Sequence, residues 1–257
     1  MTDKPNFVLI PDDAPPPPVP SRASNIFARL RTAATALVAQ LPAGLIHIEP
    51  PAETGIAPRP RLVFAVDATA SREPAWAAAR QVTDALVKAL PGALDVALAV
   101  HGGGHVHTFT AFTNDAATLR DRAAGVTCIS GMTRLLPILS TSLKHPAVRV
   151  VVYIGDVFEE SVAQGRRIAD AMGARGTKLF VLHDTSNRDA RRDAEIFWDL
   201  AKRTGGCVLP FDANAPGRLR ELLAAVAVYA VGGEQLLRER DDLPGAVALL
   251  EHLGRRR

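Results

Sequence analysis

Short, almost wholly apolar runs alternate along this chain with longer stretches in which apolar residues recur every three or four positions. Leu62-Val63-Phe64-Ala65-Val66 and Val148 to Ile154 are runs of the first kind, rich in β-branched side chains. Such runs read as strands buried on both faces of a parallel sheet. Leu94 to His101, Lys178 to Leu182 and Gly206 to Phe211 are further predicted strands. Ser71 to Leu90 spaces Trp76, Ala79, Val82, Leu86 and Leu90 as one continuous helix, with Pro74 in its first turn and Pro91-Gly92 ending it. Helices are also predicted from Asn114 or Asp115 to Ala123 with a stop at Gly125, and over Thr133–Leu143, Ser161–Met172, Ala190–Arg203 and Gly217–Val231. Gly102-Gly103-Gly104 turns the chain into His105–Phe112, an antiparallel partner strand. The alternation predicts an α/β fold: an open, mostly parallel, doubly wound sheet of Rossmann-like kind, with one antiparallel edge strand.

This pattern spans residues 61–231 and defines the expected main domain. Residues 1–60 differ in character, with prolines at Pro15 to Pro18, Pro20, Pro42, Pro50, Pro51, Pro58 and Pro60. They read as an extension holding one helix at about Ser24–Gln40. Residues 232–257 form a tail with a short helix at Leu243–Leu253. The apolar stretch Leu222–Val231 is too short to cross a bilayer and reads as a buried helix. Thirty basic and 27 acidic residues leave a formal charge of +3, with arginines scattered rather than gathered, so no nucleic-acid or membrane footprint is expected. The amino terminus shows no export signal, and Cys128 and Cys207 are the only cysteines. Both features predict a cytoplasmic protein without a multi-cysteine zinc cluster.

Three loops carry candidate chemistry. Asp67-Ala68-Thr69-Ala70-Ser71 follows the first strand, and Gly155-Asp156 ends the strand richest in β-branched residues. Ligands of open parallel sheets collect beyond the carboxyl ends of the strands, so Asp67 and Asp156 are expected to face one crevice. Two close carboxylates repel unless a cation or a proton lies between them. Oxygen donors of this kind suit Mg²⁺, Mn²⁺ or Ca²⁺ rather than zinc. The third loop holds Thr127, Ser130, Gly131 and Thr133. Each residue also has a local reading, since Ser71, Thr133 and Asp156 are all able to cap a following helix.

In this order the residues resemble the metal-ion-dependent adhesion site (MIDAS) of the von Willebrand factor A (VWA) domain family, in its bacterial intracellular form. Asp67, Thr69 and Ser71 match the family's D-x-S-x-S with threonine in place of the first serine. Gly131-Met132-Thr133 matches its threonine loop, and Gly155-Asp156 its last aspartate. Phe197 to Phe211 looks like its closing helix and strand, so the resemblance runs from Arg61 to Val231. It implies a Mg²⁺ (or Mn²⁺) held by the hydroxyls of Thr69, Ser71 and Thr133, with Asp67 and Asp156 coordinating directly or through water. Ser130 or Thr127 is able to stand in for Thr133. Magnesium keeps several waters in such sites, leaving a position for an Asp or Glu of a protein partner. The function implied is a non-enzymatic, metal-dependent protein-binding module, bacterial members pointing to stress-response or chaperone-linked assemblies.

The rival reading is an enzyme, a Mg²⁺-dependent phosphoryl-transfer hydrolase with Asp67 as nucleophile. Haloacid dehalogenase-like phosphatases need D-x-D-x-T, whereas Thr69 stands here at the second carboxylate and no lysine occupies the expected place. A third reading is a structural α/β domain with no metal. Strand alternation puts His105 and His107 on one face as a possible pair of zinc ligands, with hairpin residues as the plainer reading. Asp84, Asp170 and Glu195 are expected to be solvated, Trp76 and Trp198 to be core, and Cys128 to be a small apolar filler. No nucleophile elbow or Walker phosphate loop is present.

Overall fold

Strands β1 (Arg61–Asp67), β2 (Asp95–Gly102), β3 (His105–Phe109), β4 (Val148–Gly155), β5 (Lys178–Asp184) and β6 (Cys207–Phe211) form one sheet in the order β3-β2-β1-β4-β5-β6. They belong to a computed structural model that describes residues 58–70, 73–80, 83–89, 92–184, 190–211 and 216–254. The helix predicted at Ser24–Gln40 and the site residue Ser71 lie outside the described residues. All neighbouring pairs run parallel except β2 with β3, which makes β3 the single antiparallel strand at one edge. This is the open, mostly parallel α/β sheet that the alternation of periods predicts.

Side chains of successive strand residues point to opposite faces, and here each face meets its own helical layer. Leu62, Phe64 and Val66 of β1, with Val150, Val152 and Ile154 of β4, belong to one core cluster. Val63 and Ala65, with Val151 and Tyr153, belong to another. Over the first face lie α1 (Glu73–Arg80), α2 (Ala85–Lys88), α3 (Ala116–Ala124), α7 (Pro216–Arg238) and α8 (Pro244–Gly254). Over the second lie α4 (Leu135–Ser142), α5 (Val162–Ala174) and α6 (Ala190–Thr204). Leu222 to Val228 is apolar around most of its circumference because α7 is covered twice, by the sheet and by Leu249 and Leu253 of α8. Gly233, at φ 65°, breaks the helical geometry of α7 near its end. No helix among the described residues is long and apolar enough to cross a membrane.

Three expectations need correction. The continuous helix over Ser71–Leu90 is two helices, α1 and α2, separated by a turn at Thr83-Asp84. There the Thr83 hydroxyl donates to the Arg80 carbonyl at 3.2 Å, a local bond that competes with the helical ladder. Asp84 is not solvated: it is 5% exposed and paired with Lys88 at 2.7 Å, Arg220 at 3.5 Å and Arg120 at 3.7 Å. The break thus turns a carboxylate inward, where cations from α2, α3 and α7 compensate its burial. The helix predicted from Thr133 begins at Leu135, which leaves Thr133 in the preceding loop.

Phe64 is fully buried in the central strand and packs on Trp76 of α1, the ring centroids 6.5 Å apart. Phe64→Ala should cost about 3–5 kcal/mol through lost burial and a residual cavity. Urea unfolding followed by far-UV circular dichroism measures it; a loss below about 1 kcal/mol would contradict this packing.

Candidate metal centre

Strand register places the two aspartates. Val66 of β1 lies opposite Ile154 of β4, so Asp67 stands level with Gly155, and Asp156 follows one residue later. The chain leaves β1 toward β2 on one side and β4 toward β5 on the other, which opens a crevice at their shared carboxyl end. A cleft of about 290 Å³ sits there, lined by Asp67, Thr69, Thr133 and Asp156 together with Ser130, Gly131 and Glu159. The first four are deeply set, at 2, 7, 3 and 2% exposure. Of the third loop's alternatives, Ser130 lines the cleft from an exposed position and Thr127 is exposed outside it.

Backbone bonds lace the surrounding loops together. The Thr69 N–H donates to Asp67 Oδ1 at 2.9 Å, folding the loop after β1 back over the strand end. Ala68 N–H donates to the His101 carbonyl, and the Ala68 carbonyl accepts from Ile129 N–H, both at 2.8 Å. Gly103 N–H reaches the Ile129 carbonyl and Gly104 N–H the Met132 carbonyl, tying the β2–β3 turn to the same loop. Two glycines make this approach possible. A Cβ on Gly131, at φ 147°, would lie 2.4 Å from Gly103 Cα, and one on Gly102 would lie 2.7 Å from the Ala68 carbonyl oxygen.

Thr133 is held by a reciprocal pair of bonds. Its N–H donates to Glu159 Oε2 at 2.7 Å, and its hydroxyl oxygen accepts from Glu159 N–H at 3.2 Å. The loop after β4 is fixed further by Asp193 Oδ2, which accepts from Phe158 N–H at 2.9 Å, and by Glu160 Oε2, which accepts from Leu136 N–H at 2.8 Å. Burial pushes the Glu160 carboxyl above its ordinary range, and the Leu136 hydrogen bond works against that rise. Helix capping therefore explains neither Thr133 nor Asp156. The residue preceding α4 is Arg134 with no side-chain cap, and α5 is capped by Ser161, whose oxygen accepts from Gln164 N–H. The capping alternative for Ser71 falls outside the described residues.

His101 lies beneath the cleft and is neutral by geometry. Its Nδ1 accepts from Arg134 N–H at 3.2 Å, so the ring proton sits on Nε2, 3.2 Å from the Tyr153 hydroxyl. Burial, with a smaller contribution from His107, pushes its pKa down to about 3, so the imidazole 4.0 Å from Asp67 Oδ1 supplies no positive charge. Burial, followed by the neighbouring Glu73, pushes the half-buried Cys128 thiol up to about 12, the behaviour of a packing residue rather than a nucleophile.

The lining thus carries three carboxylates and no lysine or arginine. Among the described residues no three His, Cys, Asp or Glu side chains converge as a ligand cluster, so hydroxyl oxygens and solvent must supply much of any coordination. That donor set fits a hard cation that retains waters, and it does not fit a thiolate or imidazole zinc cage.

The fold joins this cleft to solved structures of known kind. The chain is built on the von Willebrand factor A fold. A von Willebrand factor type A protein from Catenulispora acidiphila superposes with a TM-score of 0.56 at 15% identity, over 68% of this chain and 43% of that one. The vWF domain of the type V pili tip protein Mfa5 from Porphyromonas gingivalis gives 0.51 at 11% identity, over 67% and 96%. Proximal thread matrix protein 1 from the mussel byssus, in a structure with a zinc-occupied MIDAS motif, gives 0.52 at 12% identity, over 66% and 46%. The chain therefore spans less than half of the Catenulispora and mussel proteins. Neither a family model nor a curated protein matches its sequence. On this VWA fold, Glu159 is the cleft residue that sequence reasoning passed over. Its signal was an acid three residues beyond Asp156, in a loop too irregular to assign a direction.

Because the folded state holds His101 neutral and the unfolded chain protonates near 6.5, acidification should favour unfolding between about pH 6.5 and about pH 3. The stabilisation is complete above the upper value and is lost as pH falls toward the lower one. Urea midpoints taken across this window should fall more steeply for the natural chain than for His101→Gln; equal slopes would show that His101 is not held neutral.

Proposed function

We propose that this chain is a metal-dependent protein-binding module, in which a divalent cation in the VWA cleft is completed by an Asp or Glu of a partner protein. The observation that carries this reading is the meeting of Asp67 and Asp156 with the hydroxyls of Thr69 and Thr133 in one cleft without a basic side chain. A cation there would relieve the repulsion between the carboxylates. Mg²⁺ or Mn²⁺ suits few carboxylates and several retained waters, with Asp67, Thr69, Thr133 and Asp156 as protein donors and Ser71 as the donor that the motif adds. One carboxylate from outside then displaces a water, and binding becomes metal-dependent. The mussel protein, whose MIDAS motif holds zinc, supports a divalent metal on this fold.

The rim supports a protein partner. Ile129 and Met132 flank the lining residues Ser130 and Gly131 and are 45 and 46% exposed, which gives an apolar surface beside the acidic cleft. The hydrolase reading gains nothing comparable. Position 69 offers a hydroxyl where a general acid is needed, and no lysine lines the cleft. The binding-module reading is therefore the one we favour over a hydrolase.

Mn²⁺ titration followed by electron paramagnetic resonance should find one bound ion per chain, weakened about tenfold or more by Asp156→Asn or Thr133→Ala. Immobilised natural chain should capture a partner in Mg²⁺ and lose it both in chelator and on Asp67→Ala, with far-UV circular dichroism unchanged. Unweakened Mn²⁺ binding by both variants, or Asp67-dependent turnover of p-nitrophenyl phosphate, would remove this reading.

A further inference from the structure

The β2–β3 hairpin holds a pair of imidazoles that the cleft does not use. His105 and His107 lie two residues apart on β3, and their ring centroids are 4.2 Å apart with the planes inclined at 60°. The pairing with β2 shifts between Val100 and His101, so that Thr108 and Val106 face consecutive β2 residues and His107 is the extra residue of a bulge. A bulge re-aims a side chain, and bulges concentrate at sheet edges and functional sites.

The nitrogens fit coordination. His105 Nδ1 lies 3.1 Å from the Gly103 carbonyl oxygen, which only accepts, so the ring proton sits on Nδ1 and the lone pair on Nε2. An imidazole whose second nitrogen donates to a backbone carbonyl is the arrangement found behind metal-ligating histidines. His107 Nε2 is buried and has no hydrogen-bond partner, an uncompensated polar atom on the ring that packs against His105. Two imidazoles sharing one ion at about 2.0–2.1 Å hold their centroids about 4.5–5 Å apart, close to the 4.2 Å found here.

We propose that His105 and His107 form a second metal site, a bis-imidazole chelate for a borderline divalent cation of the Zn²⁺ or Cu²⁺ class. Imidazole selects these ions over Mg²⁺, Ca²⁺ and Mn²⁺, so the hairpin and the oxygen-lined cleft differ in selectivity. Among the described residues no third His, Cys, Asp or Glu joins the pair, and the remaining positions fall to water at the exposed His105 edge. The site stands whether or not the cleft binds a metal.

Zn²⁺ alone serves as the probe, titrated calorimetrically into the full-length chain carrying Asp156→Asn to disable the cleft. If that variant fails to fold, the natural chain in excess Mg²⁺ replaces it. One Zn²⁺ site is expected, with affinity falling about tenfold or more on adding His105→Ala, and again for His107→Gln in place of His105→Ala. Cu²⁺ bound to the natural chain should show electron paramagnetic resonance hyperfine coupling from two nitrogens, reduced to one by His105→Ala. Zn²⁺ affinity unchanged by His105→Ala, absence of Zn²⁺ binding to the folded chain, or a Cu²⁺ spectrum without two-nitrogen coupling would overturn the proposal.

Discussion

Parallel pairing of β1 with β4 is the constraint on which the rest of this molecule depends. These strands adjoin in the sheet although the β2–β3 hairpin and four helices, α1 to α4, separate them in sequence. Their register, Val66 against Ile154, sets Asp67 level with Gly155 and so one residue short of Asp156 at the same sheet edge. Slipping the pairing by one residue would also turn Val151 and Tyr153 onto the face that buries Val150 and Val152. Since both faces are filled by different helical layers, packing of the core fixes the register, and the register sets the cleft.

The arrangement is costly for two acids, and the loops are built to hold it. No lysine or arginine lines the cleft, and His101 below it is kept neutral by its own hydrogen bonds and burial. The third loop is drawn in by backbone bonds to Ala68, Gly103 and Gly104, and Thr133 is locked against Glu159. The described oxygens of the cleft are thus held in place by the fold itself, which would lower the ordering cost of binding a cation there. Glu159 adds a third carboxylate to the lining while bonded to Thr133 N–H, so it strengthens the field without needing to leave its place.

Much of this was legible in the order of residues. Runs such as Leu62–Val66 and Val148–Ile154 are apolar on both faces, which only interior parallel strands require, and a carboxylate directly after such a run has one place to go. What stayed hidden depended on contacts between distant segments. Trp76, Ala79 and Leu86 are buried as their helical spacing predicts, yet that spacing says nothing of Lys88, Arg120 and Arg220 gathering around Asp84. Three cations from separate helices make an inward carboxylate tolerable, so periodicity alone placed Asp84 in solvent and joined two helices into one. Glu159 was missed for the same reason, because its partner Thr133 is 26 residues away.

The hairpin extends this logic to the edge of the sheet. His101, His105 and His107 share one turn, but their surroundings differ. His101 sits in a paired strand position with both nitrogens engaged, and burial rules out its protonated form near neutrality. His105 lies on the exposed side with its Nδ1 committed to Gly103, and His107 is carried by the bulge with Nε2 unengaged. One imidazole is therefore a structural wedge under the cleft, whereas the other two keep nitrogens for a ligand. The glycine turn that separates them is also the segment on which Gly131 packs at the cleft wall. Through Gly103 and Gly104 that turn is hydrogen-bonded to the carbonyls of Ile129 and Met132, in the loop that leads to Thr133.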